Sequence, residues 1–140
     1  MSFAPSLTQT SPLSRGRTGR IALWAVQIAL AGIFLFAGSS KLLSAAPMVA
    51  LFDAIGIGHW FRYATGLIEV GSAIALLTPS FAVFGGLALV ATMVGAVTTH
   101  LFIVPGSLVI PALLLFGAAA VVWARRHQLF GGVVDGAVTI

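Results

Sequence analysis

Three ionisable side chains stand within, or at the edge of, long apolar runs: Lys41 in LFAGSSKLLSAAP, Glu69 in ATGLIEVGSAIALL and His100 in ATMVGAVTTHLF. A desolvated carboxylate near an ammonium and an imidazole can hold a proton, donate it to a carbonyl, or orient a quinone-like head group. An acid near the centre of a bilayer without a partner costs roughly 2.5 to 3.5 kcal/mol on insertion scales. Glu69 therefore calls for a companion. Taken alone, Lys41 reads more readily as an interfacial lysine snorkelling to the membrane surface than as a functional group, and His100 equally as a hydrogen-bonded interfacial residue or as part of a site.

The helices that carry these residues must bring them together, and side-chain direction offers a way. A helical side chain leans toward its own N-terminus. Lys41, ending an outward helix, leans into the membrane. Glu69, on the returning helix, leans up from about 12 Å below the outer end at 1.5 Å per residue, and His100 again leans down. The three are expected to converge in the outer half of a bundle. Steps of three, four and seven from Lys41 meet Gly38, Ala37 and Phe34, with Gln27 two heptads back. The stripe through Glu69 holds Arg62, Thr65, Gly66, Ser72 and Ala73, and the third helix offers Ala88, Thr92, Gly95 and Thr99. Small and polar residues on one stripe are what closely packed helices in lipid use. Gln27, Arg62, Thr65, Ser72 and Thr99 are thus supporting members of a candidate polar cluster built on Lys41, Glu69 and His100; Gln27 also reads simply as an interhelical hydrogen-bonding residue.

Composition supplies the frame. Of 140 residues, 59% are hydrophobic and 7% charged, and mean hydropathy is +1.11, which excludes an ordinary water-soluble domain. Four apolar runs, about residues 21–43, 61–78, 82–103 and 108–124, approach the 17 to 25 residues that span about 30 Å of hydrocarbon. The expected fold is all-α: a polytopic bundle of four transmembrane helices. A short interfacial helix is expected in the first outer loop, where Met48, Leu51, Phe52 and Ile55 recur at helical spacing after Pro47 and before Gly56 and Gly58.

The net charge of +4 comes from residues at the ends of apolar runs, so it reads as membrane topology and not as a nucleic-acid surface. Arg15, Arg17, Arg20, Arg125 and Arg126 fall on one side of an even-numbered bundle, and Lys41 and Arg62 on the other. The positive-inside bias then puts both termini in the cytoplasm. Trp24 and Trp123 would lie at the inner interface and Trp60 at the outer one. Residues 1–20 read as a disordered basic tail and not as a cleaved leader, whose apolar core would be shorter. Residues 125–140 read as a largely unstructured cytoplasmic tail. The chain has no cysteine, which excludes thiol exchange, iron–sulfur ligation and cysteine-based zinc sites. No metal-site spacing is present, and a bis-histidine haem lacks a second imidazole at membrane depth.

The ordered stretches FLFAGSSKLL, AAPMVALFDAIGIGHW, TGLIEVGSAIALLTP and ATMVGAVTTHLF, from about Ile21 to Trp123, resemble the DoxX-like membrane proteins. That resemblance implies a small four-helix protein of the bacterial inner membrane. It also implies a redox association, because the family takes its name from a subunit of a terminal oxidase complex handling thiosulfate and quinone. Relatives keep varied company, so the resemblance implies no particular reaction, and no catalytic residue is assigned.

Three functions follow as expectations. The first is a membrane subunit binding a quinone or similar lipophilic head group at the outer-half polar site, beside a redox-enzyme partner or a second copy of itself, and at most a quinone-binding subunit of an oxidoreductase. The second is a non-catalytic scaffold or assembly partner whose Lys41–Glu69 pair is structural. The third, small-molecule transport, lacks the interrupted helices that mark such sites.

Overall fold

A computed structural model describes the backbone over residues 13–134 and side chains over 16–130. It is all-α: α1 (Leu13–Leu42), α2 (Ala46–Ile55), α3 (His59–Leu77), α4 (Ala82–Phe102), α5 (Val109–Arg125) and α6 (His127–Val134). α1 packs most extensively on α3, α3 on α4 and α4 on α5, while α5 reaches back to α1. One core results, built from Leu30, Ala31, Phe34, Ala73, Leu76, Leu89, Met93, Ala118 and Val121.

Small residues set the packing distance. A Cβ added at Gly38 would lie 2.8 Å from the Gly66 carbonyl oxygen, and one at Gly85 would lie 2.7 Å from that of Ser72. The backbones of α1 and α3, and of α3 and α4, therefore approach as closely as glycine allows. Beyond the core, many large apolar side chains face outward: Phe36 is 77% exposed, Phe116 72% and Leu113 65%. Glycine contacts between helices and a surface rich in large hydrocarbons suit a molecule whose solvent is lipid.

The expectation of four transmembrane helices is not met. Among the described residues only two helical stretches, Gly16–Leu42 and Ala82–Phe102, are both long and apolar enough to cross a membrane. α3 is 19 residues long, but Arg62, Glu69 and its Gly, Ser and Thr residues lower its apolarity. α5 has 17 residues, which at 1.5 Å each give about 26 Å, short of a hydrocarbon core of about 30 Å. The apolar runs at 61–78 and 108–124 coincide with α3 and α5 to within two residues. The number of spans is overstated because α5 is short and α3 is interrupted by charged and small polar residues, not because the helices are misplaced.

The ends differ from expectation too. α1 starts at Leu13 and not near Ile21, since a helix once nucleated extends into neighbouring residues at little cost; residues 1–12 of the expected tail lie outside the described residues. After Arg126 the chain forms α6, not an unstructured tail. Gln128 ties it down, donating from Nε2 to the Pro79 carbonyl at 2.6 Å and accepting the Val83 N–H at 3.4 Å. Residues 135–140 lie outside the described residues.

A short helix does form between α1 and α3. α2 has Pro47 in its first turn and ends at Gly56, whose φ of 78° only glycine adopts freely and whose N–H bonds the Phe52 carbonyl at 3.1 Å. Phe52 is buried against Phe61, ring centroids 5.8 Å apart, which anchors α2 to the start of α3.

Candidate polar site between the first and third helices

The C-terminal end of α1 and the first half of α3 build the site. Lys41 stands in the last turn of α1 and Glu69 mid-way along α3. The close approach at Gly38 and Gly66 brings the two backbones together beneath them, since a Cβ at Gly66 would sit 3.0 Å from the Lys41 Cβ. Lys41 Nζ donates to Glu69 Oε2 at 2.7 Å, with side chains 12% and 2% exposed. A charge-assisted bond of this length in a sheltered position is strong and directional. It uses one of the three ammonium N–H groups, and the other carboxylate oxygen, Oε1, accepts no hydrogen bond among the described residues.

Arg62 lies two turns before Glu69 on the same helix and is 2% exposed. Its Nη1 donates to the Lys41 carbonyl and, at 3.0 Å, to Ser44 Oγ. Arg62 thereby satisfies orphan acceptors where α1 ends, and its charge meets the negative end of the helix dipole. Ser44 has a φ of 57°, unusual for a residue other than glycine. Bonds from Arg62 and, at 3.1 Å, with Tyr63 OH hold it there. The guanidinium stacks 4.4 Å from the Tyr63 ring centre. Arg62 Nε is buried without a hydrogen-bond partner.

The remaining expected members fall elsewhere. His100 is half-buried at the end of α4; its Nδ1 lies 3.4 Å from the Val104 carbonyl oxygen, and it makes no hydrogen bond or ion pair with Lys41 or Glu69. The α4–α5 loop folds against its ring, so closely that a Cβ on Gly106 would be 2.7 Å from Nδ1. Thr65 bonds the Phe61 and Arg62 carbonyls, both at 3.0 Å, and Thr99 bonds the Gly95 carbonyl at 2.9 Å, each within its own helix. Ser72 is buried at the α3–α4 contact, where its carbonyl faces Gly85. Gln27 is buried at the opposite end of the core, donating to the Leu76 carbonyl at 2.6 Å. Its Oε1 accepts from Arg125 Nη2 at 2.9 Å and Nε at 3.2 Å, so it forms a second polar centre apart from Lys41.

Residues 25–123 match the DoxX-like family. The chain belongs to the DoxX-like family. As a DoxX-like chain with two helices long and apolar enough to cross a membrane, it is a membrane protein with at least one membrane-spanning helix. The family match covers Lys41, Arg62, Glu69 and the glycines at the α1–α3 contact. Comparison with curated proteins and with solved structures finds no match.

Chemically, the arrangement offers hydrogen-bond donors on Lys41 and an acceptor on Glu69 in a site largely closed to water. Arg62, which spacing alone ranks as a supporting residue, caps the helix that carries Lys41. Its position seven residues before Glu69 marks the shared stripe but not the capping role, whose acceptors are the Lys41 carbonyl and Ser44 Oγ.

Proposed function

We propose that this DoxX-like protein binds the polar head group of a lipophilic molecule at the Lys41–Glu69 pair, a quinone being the class that fits best, and serves a redox partner in the membrane. The observation that carries this reading is the unused bonding capacity of a sheltered pair: two ammonium N–H groups and one carboxylate oxygen without partners. A carbonyl oxygen would accept from Lys41, and a hydroxyl would donate to Glu69 Oε1; a quinone and its reduced form present those two groups. Bound quinone supplies two-electron, two-proton carriage. The chain's residues hold the head group, exclude water and offer Glu69 as a proton acceptor, while electrons come from a partner. Arg62 keeps the end of α1, and with it Lys41, in place.

Orientation belongs to the same proposal. The Gln27–Arg125 bond joins the N-terminal half of α1 to the end of α5, so the arginine-bearing ends lie together, and the positive-inside bias assigns that end to the cytoplasm. The pair then sits toward the outer face.

Quenching of tryptophan fluorescence by a ubiquinone or menaquinone analogue tests the binding. Losing one charge-assisted hydrogen bond, worth about 1.5 to 3 kcal/mol, should weaken affinity roughly 10- to 100-fold in Glu69→Gln and leave His100→Ala unchanged. Equal affinity in native protein and a folded Glu69→Gln variant would remove the site.

A structural role for the same pair, fixing helix register, is favoured by its place above the Gly38–Gly66 contact. A Lys41→Met/Glu69→Leu variant that keeps both quinone binding and partner association would establish this second reading.

A further inference from the structure

Charge is distributed unevenly over the two ends of the molecule. At one end, Arg125 is spoken for by Gln27 and lies 5.6 Å from the Trp24 ring centre. Three other arginines around it are exposed: Arg20 and Arg17 on α1, one and two turns beyond Trp24 respectively, and Arg126 where α5 meets α6. The two described carboxylates are committed elsewhere, Glu69 to Lys41 and Asp53 to the neighbourhood of His59. None of the three exposed arginines forms an ion pair among the described residues.

Aromatic residues share this end. Arg126 stacks 4.2 Å from the Trp123 ring centre, Trp123 is 69% exposed, and Phe130 on α6 is 68% exposed. Gln128 pins α6 to the α3–α4 turn by one face, which leaves Phe130 pointing away. Arg126 also donates to the Trp123 carbonyl, but no carboxylate faces any of the three guanidinium groups among the described residues, and exposed aromatic rings beside such cations match the boundary between acyl chains and phosphate. Arginine's planar fork also suits phosphate oxygens.

We infer that this end is a docking surface for anionic phospholipid head groups, with Arg17, Arg20 and Arg126 binding lipid phosphate and Trp123 and Phe130 seated among the acyl-chain ends. This surface shares no residue with the Lys41–Glu69 site. Juxtamembrane basic residues each strengthen attraction to anionic lipid about fivefold, so the three together should contribute on the order of a hundredfold.

Native mass spectrometry of the full chain in detergent, offered equimolar phosphatidylglycerol and phosphatidylcholine, provides the test. The native protein should carry phosphatidylglycerol preferentially, the preference should shrink as salt rises, and Arg17→Gln/Arg20→Gln/Arg126→Gln should abolish most of it. The corresponding triple lysine variant keeps the charge and should retain the preference. Equal uptake of the two lipids, or a preference indifferent to salt, would overturn the inference even if the glutamine variant failed to fold. Displacement of phosphatidylglycerol by an equal concentration of inorganic phosphate would assign the site to a free anion, and displacement by an acidic peptide would assign it to a protein; either result overturns the lipid assignment.

Discussion

Removing one member of the Lys41–Glu69 pair should be far more damaging than removing both. Lys41→Met leaves the Glu69 carboxylate, 2% exposed, without the cation that compensates its burial. Stranding one partner of a buried pair costs about 3 to 5 kcal/mol. Glu69→Leu leaves Lys41 instead, with a side chain 12% exposed at a helix C-terminus where carbonyls favour a cation. Its cost should be lower, about 2 to 3 kcal/mol, after that discount on the same figure. Replacing a whole buried pair by apolar residues is often neutral or stabilising, so Lys41→Met/Glu69→Leu should return to within about 1 kcal/mol of the native protein or exceed it. The coupling between the two sites is then several kcal/mol. Equilibrium unfolding in mixed micelles, followed by circular dichroism, measures all four species. Additivity within about 0.5 kcal/mol, as for distant independent sites, would refute the reasoning, as would a Lys41→Met variant no less stable than the native chain.

Further outcomes follow from the packing. Gly38→Ala and Gly85→Ala put a Cβ within 3 Å of a facing backbone carbonyl and should each cost about 1 to 3 kcal/mol by overpacking, whereas Gly71→Ala, with nothing within 4 Å, should be neutral or slightly stabilising in the same unfolding assay. Gln27→Leu removes the bond to the Leu76 carbonyl and strands the Arg125 guanidinium; a loss of about 1 to 3 kcal/mol is expected, with Gln27→Glu recovering part of it through Arg125. Asp53→Asn should leave the melting temperature unchanged, because Asp53 and His59 are 3.7 Å apart and both 58% exposed.

The sequence made part of this site legible. Side-chain lean and the small-residue stripe bring Lys41 to Glu69, because both depend on helix geometry that neighbouring residues report directly. His100 obeys the same rules of lean, yet its ring meets the Val104 carbonyl; a loop that folds back on its own helix leaves no periodic signature. Arg62 lay on the right stripe, but its acceptors are the Lys41 carbonyl and Ser44, and backbone acceptors at a helix end carry no residue-type signal. The Gln27–Arg125 bond joins residues 98 positions apart. Each residue had a sufficient local explanation, so nothing in the spacing linked them. Counting spans fails for a different reason: the run at 108–124 marks α5 to within one residue at each end, but 17 residues fall short of a full crossing, and α3, although 19 residues long, carries Arg62 and Glu69.

The central claim is that a lipophilic head group sits between α1 and α3 against Lys41 and Glu69. A photoreactive quinone analogue, cross-linked to the native protein in its membrane and mapped by peptide mass spectrometry, tests it most directly. Labelling should concentrate around Gly38–Ser44 and Thr65–Ser72, be competed by unmodified quinone and be lost in Glu69→Gln. Labelling centred on His100 and the α4–α5 loop, or spread over the lipid-facing surface without competition, would contradict it.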